Sequence, residues 1–186
     1  MIQHQRPARR STPIDGAGDE CAAIIAAQGI WPAVRFLNGR TRFRFTGIYR
    51  VDPPRLCNLV LFDRENPDMN LSGAVTQLED TYCSLTYAFG PFETDDSLSD
   101  GRLVQHASRS SIISYAGVPL RLLNGHVWGT ICHFDVRPRL LPHGERTVLE
   151  SVAPVLVASL QRDVAHAGAF IAPSSTAPQD SVAPRT

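Results

Sequence analysis

The spacing of apolar and polar positions changes several times along the chain, and each change predicts an element. Residues 17–39 read as helical: alanine is frequent, and Ile24, Ile25, Trp31, Val34 and Leu37 supply apolar contacts. Gly29 and Pro32 interrupt that run, with Pro32 placed to open a second short helix and Gly39 to stop it. A two-residue period follows in 41–51. Phe43 and Phe45 alternate with arginine, the register is lost near Gly47, and the alternation resumes at Tyr49 and Val51. A glycine in such a strand predicts a bulge or a close backbone approach. "VDPPR" is a turn, 56–62 a short apolar strand, and "DRENPDMN" an exposed loop.

A second helical pattern spans 76–89. Thr76 and Glu79 have the spacing of a capping box, Gly90 is a stop, and Leu78, Tyr82, Leu85 and Phe89 form one apolar stripe with Cys83 at its edge. The connection 91–111 is long and rich in Asp and Ser, with one helical turn expected around Leu103 to His106; loops of this length in compact domains are usually functional. Two strands, 112–121 and 126–136, are joined by "LLNG", whose Asn-Gly step signals a hairpin. The last element is an amphipathic helix over 145–167 carrying Leu149, Val152, Leu156, Leu160 and Val164, with a kink expected at Pro154. This order predicts an α+β sandwich with the terminal helices on one sheet face.

Composition narrows the function. The 186 residues suit one domain, expected at 15–168, between disordered polar tails at 1–14 and 169–186. Formal net charge is zero, which argues against a nucleic-acid partner; the arginines of "RTRFRF" are expected on the wet side of a strand. All eighteen basic residues are arginine, so no lysine can hold a triphosphate or form a Schiff base. No stretch reads as a secretory signal or a membrane span, and the four cysteines, Cys21, Cys57, Cys83 and Cys132, form no CxxC pair. These features suggest a cytoplasmic protein with reduced thiols.

At "SYAGVPLRLLNGHVWGTICHFD" the chain resembles a GAF domain, through Tyr115, Gly117, Pro119, Leu120, Gly125, Gly129, Thr130, Ile131, Cys132 and Asp135. The flanking element order agrees over about 17–168. The resemblance implies an antiparallel sheet of five or six strands. The first and last helices would cover one face, and helix 76–89 with loop 91–111 would roof a small-molecule pocket on the other. It further implies a sensing or regulatory role, dimerisation through the terminal helices, and ligands such as cyclic nucleotides, bilins, haem or small metabolites. The cofactor remains open. The Asn-Lys pair of cyclic-nucleotide-type members cannot occur in a chain without lysine. With no kinase, cyclase, phosphodiesterase or DNA-binding segment in these residues, a sensor of this kind is expected to act on a protein partner in trans, or to be the enzyme itself.

Several readings of Cys83 stand side by side: a small core residue, a pocket contact, a reactive thiol or a bilin anchor. The third follows from the resemblance, because free methionine-(R)-sulfoxide reductases are single-domain GAF enzymes that use several cysteines around the pocket. Here the next cysteine, Cys132, lies far along on a strand, which leaves the two-thiol pattern incomplete in sequence. The fourth is weakened because Ser84, not histidine, follows Cys83. Cys132 and His133 alternate on a strand and point to opposite faces, and no combination of Cys83, His106, Cys132 and His133 has a standard zinc spacing. Ligand selectivity is expected in loop 91–111. Asp100 with Arg102 is suited to fixing a polar group, and His106 with Arg109 to clamping an anion. Tyr82, Phe92 and Tyr115 are candidate aromatic walls; self-paired loop charges and ordinary core aromatics are the plainer alternatives.

Overall fold

Gly29 ends the first helix with φ at 91°, a backbone conformation that only glycine adopts without strain. In the computed structural model, which describes residues 14–69 and 71–169, it separates α1 (Ile14–Gln28) from α2 (Ile30–Gly39). The tails expected at 1–14 and 169–186 lie, but for Ile14 and Ala169, outside the described residues. Pro32 is the third residue of α2 and not its opening one, still within the first turn where its missing N–H costs nothing.

The first strand is shorter than its alternation suggests: β1 is Phe45–Asp52. Residues 41–44 stay out of the ladder because side chains satisfy their backbone. The Asn38 amide donates to Phe43 O at 3.1 Å, Phe43 N donates to Thr41 Oγ1 at 3.2 Å, and Arg44 N donates to the Asp135 carboxylate at 3.0 Å. Arg44 is a clamp on Asp63 at 2.7 Å, and only Arg42 of this stretch is fully exposed. The expected irregularity near Gly47 is present, as a register shift between Ile48 and Tyr49 against β2 (Arg55–Asp63).

The helix read over 76–89 is mostly something else. Val75–Gln77 form β3, with Thr76 paired to Leu56, and Leu78 N donates to Pro54 O at 2.8 Å. A 3-10 turn covers Leu78–Asp80, and α3 begins only at Cys83, ending at Phe89. The capping box at Thr76 and Glu79 does not form, because pairing with β2 already satisfies that backbone. The predicted stripe fails at its far end, where Phe89 is 81% exposed. The long connection contains β4 (Phe92–Thr94) and two 3-10 turns, Gly101–Leu103 and Ala107–Ser110. Asp100 and His106 cap these turns by accepting from the N–H two residues on.

The hairpin β5 (Ser114–Arg121) and β6 (Val127–Asp135) completes six antiparallel strands in the order β3-β2-β1-β6-β5-β4. The closing helix α4 (Glu145–Ala169) runs through Pro154, which stands on its exposed side; Leu149, Val152, Leu156 and Leu160 face inward. α1, α2 and α4 pack with Ile48, Phe62, Val118, Leu120 and Ile131 on one sheet face. Arg40 at the end of α2 ties to Glu145 at the start of α4 through both carboxylate oxygens. On the other face a second cluster joins Leu56, Leu78, Tyr82, Cys83, Leu103, Tyr115 and Cys132. No helix among the described residues is long and apolar enough to cross a membrane.

Candidate functional site

The register of three strands builds a hollow on the second face. Cys132 of β6 pairs with Gly47 on one side and Gly117 on the other, so its thiol stands in a row without neighbouring side chains. Two tyrosines fold back over those glycines. A Cβ on Gly47 would meet the Tyr49 ring at 2.6 Å, and one on Gly117 would meet the Tyr115 hydroxyl at 2.3 Å. The glycines therefore let both phenols lie along the sheet, on either side of the thiol.

Above this floor the roof descends from 76–89 and 106–112. Between them lies a cavity of about 150 Å³, bounded by Tyr49, Leu56, Tyr115, Cys132 and Phe134 below and by Tyr82, Cys83 and Ile112 above. Thr81 and Ser108 also border it, with Thr76 as its exposed member. Tyr82 is fixed by its hydroxyl, which donates to Ile112 O at 3.2 Å, and by ring contacts with Tyr115 at 5.6 Å and His106 at 4.5 Å.

Cys83 is buried, and two neighbouring hydroxyls donate to its sulfur. Thr130 Oγ1 donates to its sulfur at 3.3 Å and Tyr115 Oη at 3.6 Å, and Tyr115 is itself held by Thr86 at 2.9 Å. The hydrogen-bonded Cys132 thiol lowers the Cys83 pKa most and burial opposes it. The Thr130, Tyr115 and Thr81 hydroxyls lower it further, from an ordinary 9.0 to about 7. Burial, and then the neighbouring Cys83, push the Cys132 thiol well above 9.0. Burial likewise keeps the Tyr49 and Tyr115 phenols protonated, so each remains a donor.

Of the residues expected to meet a ligand, Tyr82, Cys83 and Tyr115 line this cavity; Phe92, Asp100, His106 and Arg109 do not. Those four support the roof. Arg102 pairs with Asp100 at 2.6 Å, holding that carboxyl down to about 2, and lies over the Phe92 ring at 4.8 Å. Arg109 is occupied by the carbonyls of Ser97 and Leu98. The His106 ring packs at a tilt against Tyr82, its Nδ1 taken by Ser108 N, and burial lowers its pKa. The loop charges thus pair locally. Cys132 and His133 do face apart: His133 lies on the helix side, with Nδ1 2.7 Å from Thr46 Oγ1.

Tyr49, Thr130 and the proximity of Cys132 to Cys83 escaped the sequence reading. A signal existed in "TGIY" and "YAG", where a glycine two positions from a tyrosine shares its strand face. A wider cleft of about 960 Å³ lies elsewhere, against Arg40, Arg42, Asp95, Arg139 and Leu140. Its size is misleading as a functional sign, because Arg40 is held by Glu145 at 3.0 Å and Arg139 by Asp135 at 2.8 Å.

An antiparallel sheet with helices on one face and a roofed hollow on the other defines an α+β sandwich domain. The chain belongs to the GAF domain family, whose model matches residues 17–160. No curated protein matches it. Among solved structures it is similar to the chromophore-binding domain of an unusual bacteriophytochrome from R. palustris. That pair has TM-score 0.64 and 13% identity over 89% of this chain, which spans 65% of that chain's length. The GAF domain of an Acinetobacter phosphoenolpyruvate-protein phosphotransferase aligns at TM-score 0.65 and 15% identity, over 87% of this chain and all of that one (100%). The free methionine-R-sulfoxide reductase from Neisseria meningitidis, solved with its substrate, aligns at 0.61 and 14%, over 87% and 98%. At these identities the likeness is one of fold.

Proposed function

We propose that this chain is a small-molecule-sensing regulatory domain whose ligand lodges between the sheet and the 76–112 roof. The observation that carries the reading is the cavity over Cys132, walled by three phenols and the Cys83 thiol and bordered by threonine and serine. Its volume selects the ligand class. About 150 Å³ is the scale of a cavity that holds a benzene-sized ring, well below the roughly 300–1,000 Å³ of drug-sized sites. A haem, a bilin or a cyclic nucleotide needs the roof displaced, whereas a metabolite of about six to ten non-hydrogen atoms fits as the site stands. No arginine, histidine or carboxylate lines the wall, and its one acidic group is the Cys83 thiol, so an uncharged, partly aromatic or hydroxylated molecule is favoured over an anion, whose burial there would go uncompensated.

Signalling then follows from differential affinity. A ligand that binds one roof arrangement better shifts the population toward it. α3 packs on β5 and β6, and α4 packs on the reverse of the same strands. A change in the roof therefore reaches the surface of α1 and α4, where a second copy or a protein partner in trans would read it. Mass spectrometry of the protein purified gently from its own cells tests the reading. The expected result is a stoichiometric co-purified molecule of this size, lost when Tyr82→Trp fills the cavity. Retention of the same molecule by that variant overturns the assignment of the site.

The second reading is a thiol enzyme reducing a free sulfoxide, favoured by one observation: Cys132 and Cys83 border the same cavity. Reductant-dependent turnover of free methionine sulfoxide, abolished in Cys83→Ala, supports it; turnover unchanged in Cys83→Ala removes it.

A further inference from the structure

Four cysteines occupy very different surroundings. Cys21 is buried in the helical layer, and burial pushes its thiol up to about 12. Cys57 sits half-buried on β2. Of the four, Cys83 and Cys132 alone border the same cavity and share one buried cluster, and Thr130, which donates to Cys83, stands on the strand face that carries Cys132. They are also asymmetric. Cys83 receives the hydroxyls of Thr130 at 3.3 Å and Tyr115 at 3.6 Å, an arrangement that stabilises a sulfur anion. Cys132 stays a protonated thiol under its flanking glycines. One thiol is prepared to attack and the other to resolve, and both border the hollow between roof and floor.

We infer that Cys83 and Cys132 are an oxidant-responsive pair, in which a hydroperoxide entering the cavity converts them to an intramolecular disulfide. In the first step the Cys83 thiolate attacks the terminal peroxide oxygen. The O–O bond breaks, an S–O bond forms, and the departing alkoxide or hydroxide takes a proton, giving Cys83 sulfenic acid and an alcohol or water. In the second step the Cys132 sulfur attacks that sulfenic sulfur. The S–S bond forms, the S–O bond breaks, and the oxygen leaves as water with the Cys132 proton. A small dithiol returns both groups to thiols. No ligand is needed in the cavity, so this chemistry stands apart from the sensing reading, and it uses no sulfoxide substrate.

The test exposes the reduced full chain to hydrogen peroxide at neutral pH, quenches with maleimide at intervals and maps the peptides. The expected product is a Cys83–Cys132 cross-link, about 2 Da lighter than the dithiol, formed before Cys21 or Cys57 is oxidised. In Cys132→Ala a dimedone-reactive sulfenic acid should accumulate at Cys83, and in Cys83→Ala the Cys132 thiol should stay reduced over the same exposure. Oxidation of Cys83 no faster than of Cys57 in the wild-type chain overturns the proposal. So does a cross-link joining any other pair. The wild-type ordering decides the matter even if either variant fails to fold.

Discussion

Thr130 Oγ1 lies 3.3 Å from Cys83 Sγ, on the strand face that also carries Cys132. The hydroxyl is fully buried and has that sulfur to donate to. Thr130→Val keeps the shape and removes the donor. Its expected effect is a Cys83 pKa raised by about one unit, which makes alkylation by iodoacetamide roughly tenfold slower below the new pKa. The rate measured against pH should show a midpoint near 7 in the wild type, as the surroundings of the thiol require. An unchanged midpoint in the variant would remove Thr130 from the account.

The two glycines opposite Cys132 carry the shape of the floor. Gly117→Ala places a methyl where the Tyr115 hydroxyl now lies, at 2.3 Å, so the phenol must leave its contact with Thr86 or the strand must move. Overpacking of this kind costs about 1–3 kcal/mol, and the displaced phenol also withdraws a donor from Cys83. Denaturant unfolding should show the loss of stability, and the thiol titration should move upward with it. Gly117→Ala with wild-type stability and an unmoved thiol would contradict the geometry.

On the opposite face His133 predicts acid sensitivity. The Asn38 amide donates to Thr46 Oγ1 at 2.9 Å, which leaves the Thr46 hydrogen for His133 Nδ1 at 2.7 Å and puts the ring proton on Nε2, buried without a partner. Burial, with Arg64 and Arg40 nearby, holds the folded pKa down at about 3 against an ordinary 6.5. Between those values the unfolded chain binds one proton more than the folded chain. Stability therefore falls as pH drops below about 6.5, at roughly 1.4 kcal/mol per unit and about 2 kcal/mol by pH 5. His106 acts with the same sign and less strongly, since it is only half-buried. Urea unfolding at pH 7, 6 and 5 should show this slope in the wild type and a shallower one in His133→Gln. Equal slopes would mean that His133 already carries charge in the folded protein.

The sheet and its helical face were readable because period and burial coincide there. Leu149, Val152, Leu156 and Leu160 recur at helical spacing and all face the core, and the Asn124-Gly125 step does join β5 to β6. The roof was harder. Thr76 and Glu79 have a helix-start spacing, yet residues 75–77 join β2, since an unpaired sheet edge competes for the same backbone donors. The site was the least legible part. Cys83 and Cys132 are forty-nine positions apart, and their meeting at one cavity depends on the β1–β6–β5 register, which only the assembled sheet specifies. Asp100 and Arg109 are conspicuous as loop charges, but Arg102 and the Ser97 carbonyl take them up.

The central claim is that the hollow over Cys132 accepts a small uncharged molecule. Two-dimensional NMR of the labelled protein, titrated with metabolites of about six to ten non-hydrogen atoms, tests it most directly. The account predicts saturable shift changes centred on Tyr82, Cys83, Ile112, Tyr115 and Cys132, abolished in Tyr82→Trp. Saturable changes centred instead on Arg40, Asp95 and Arg139 would contradict it.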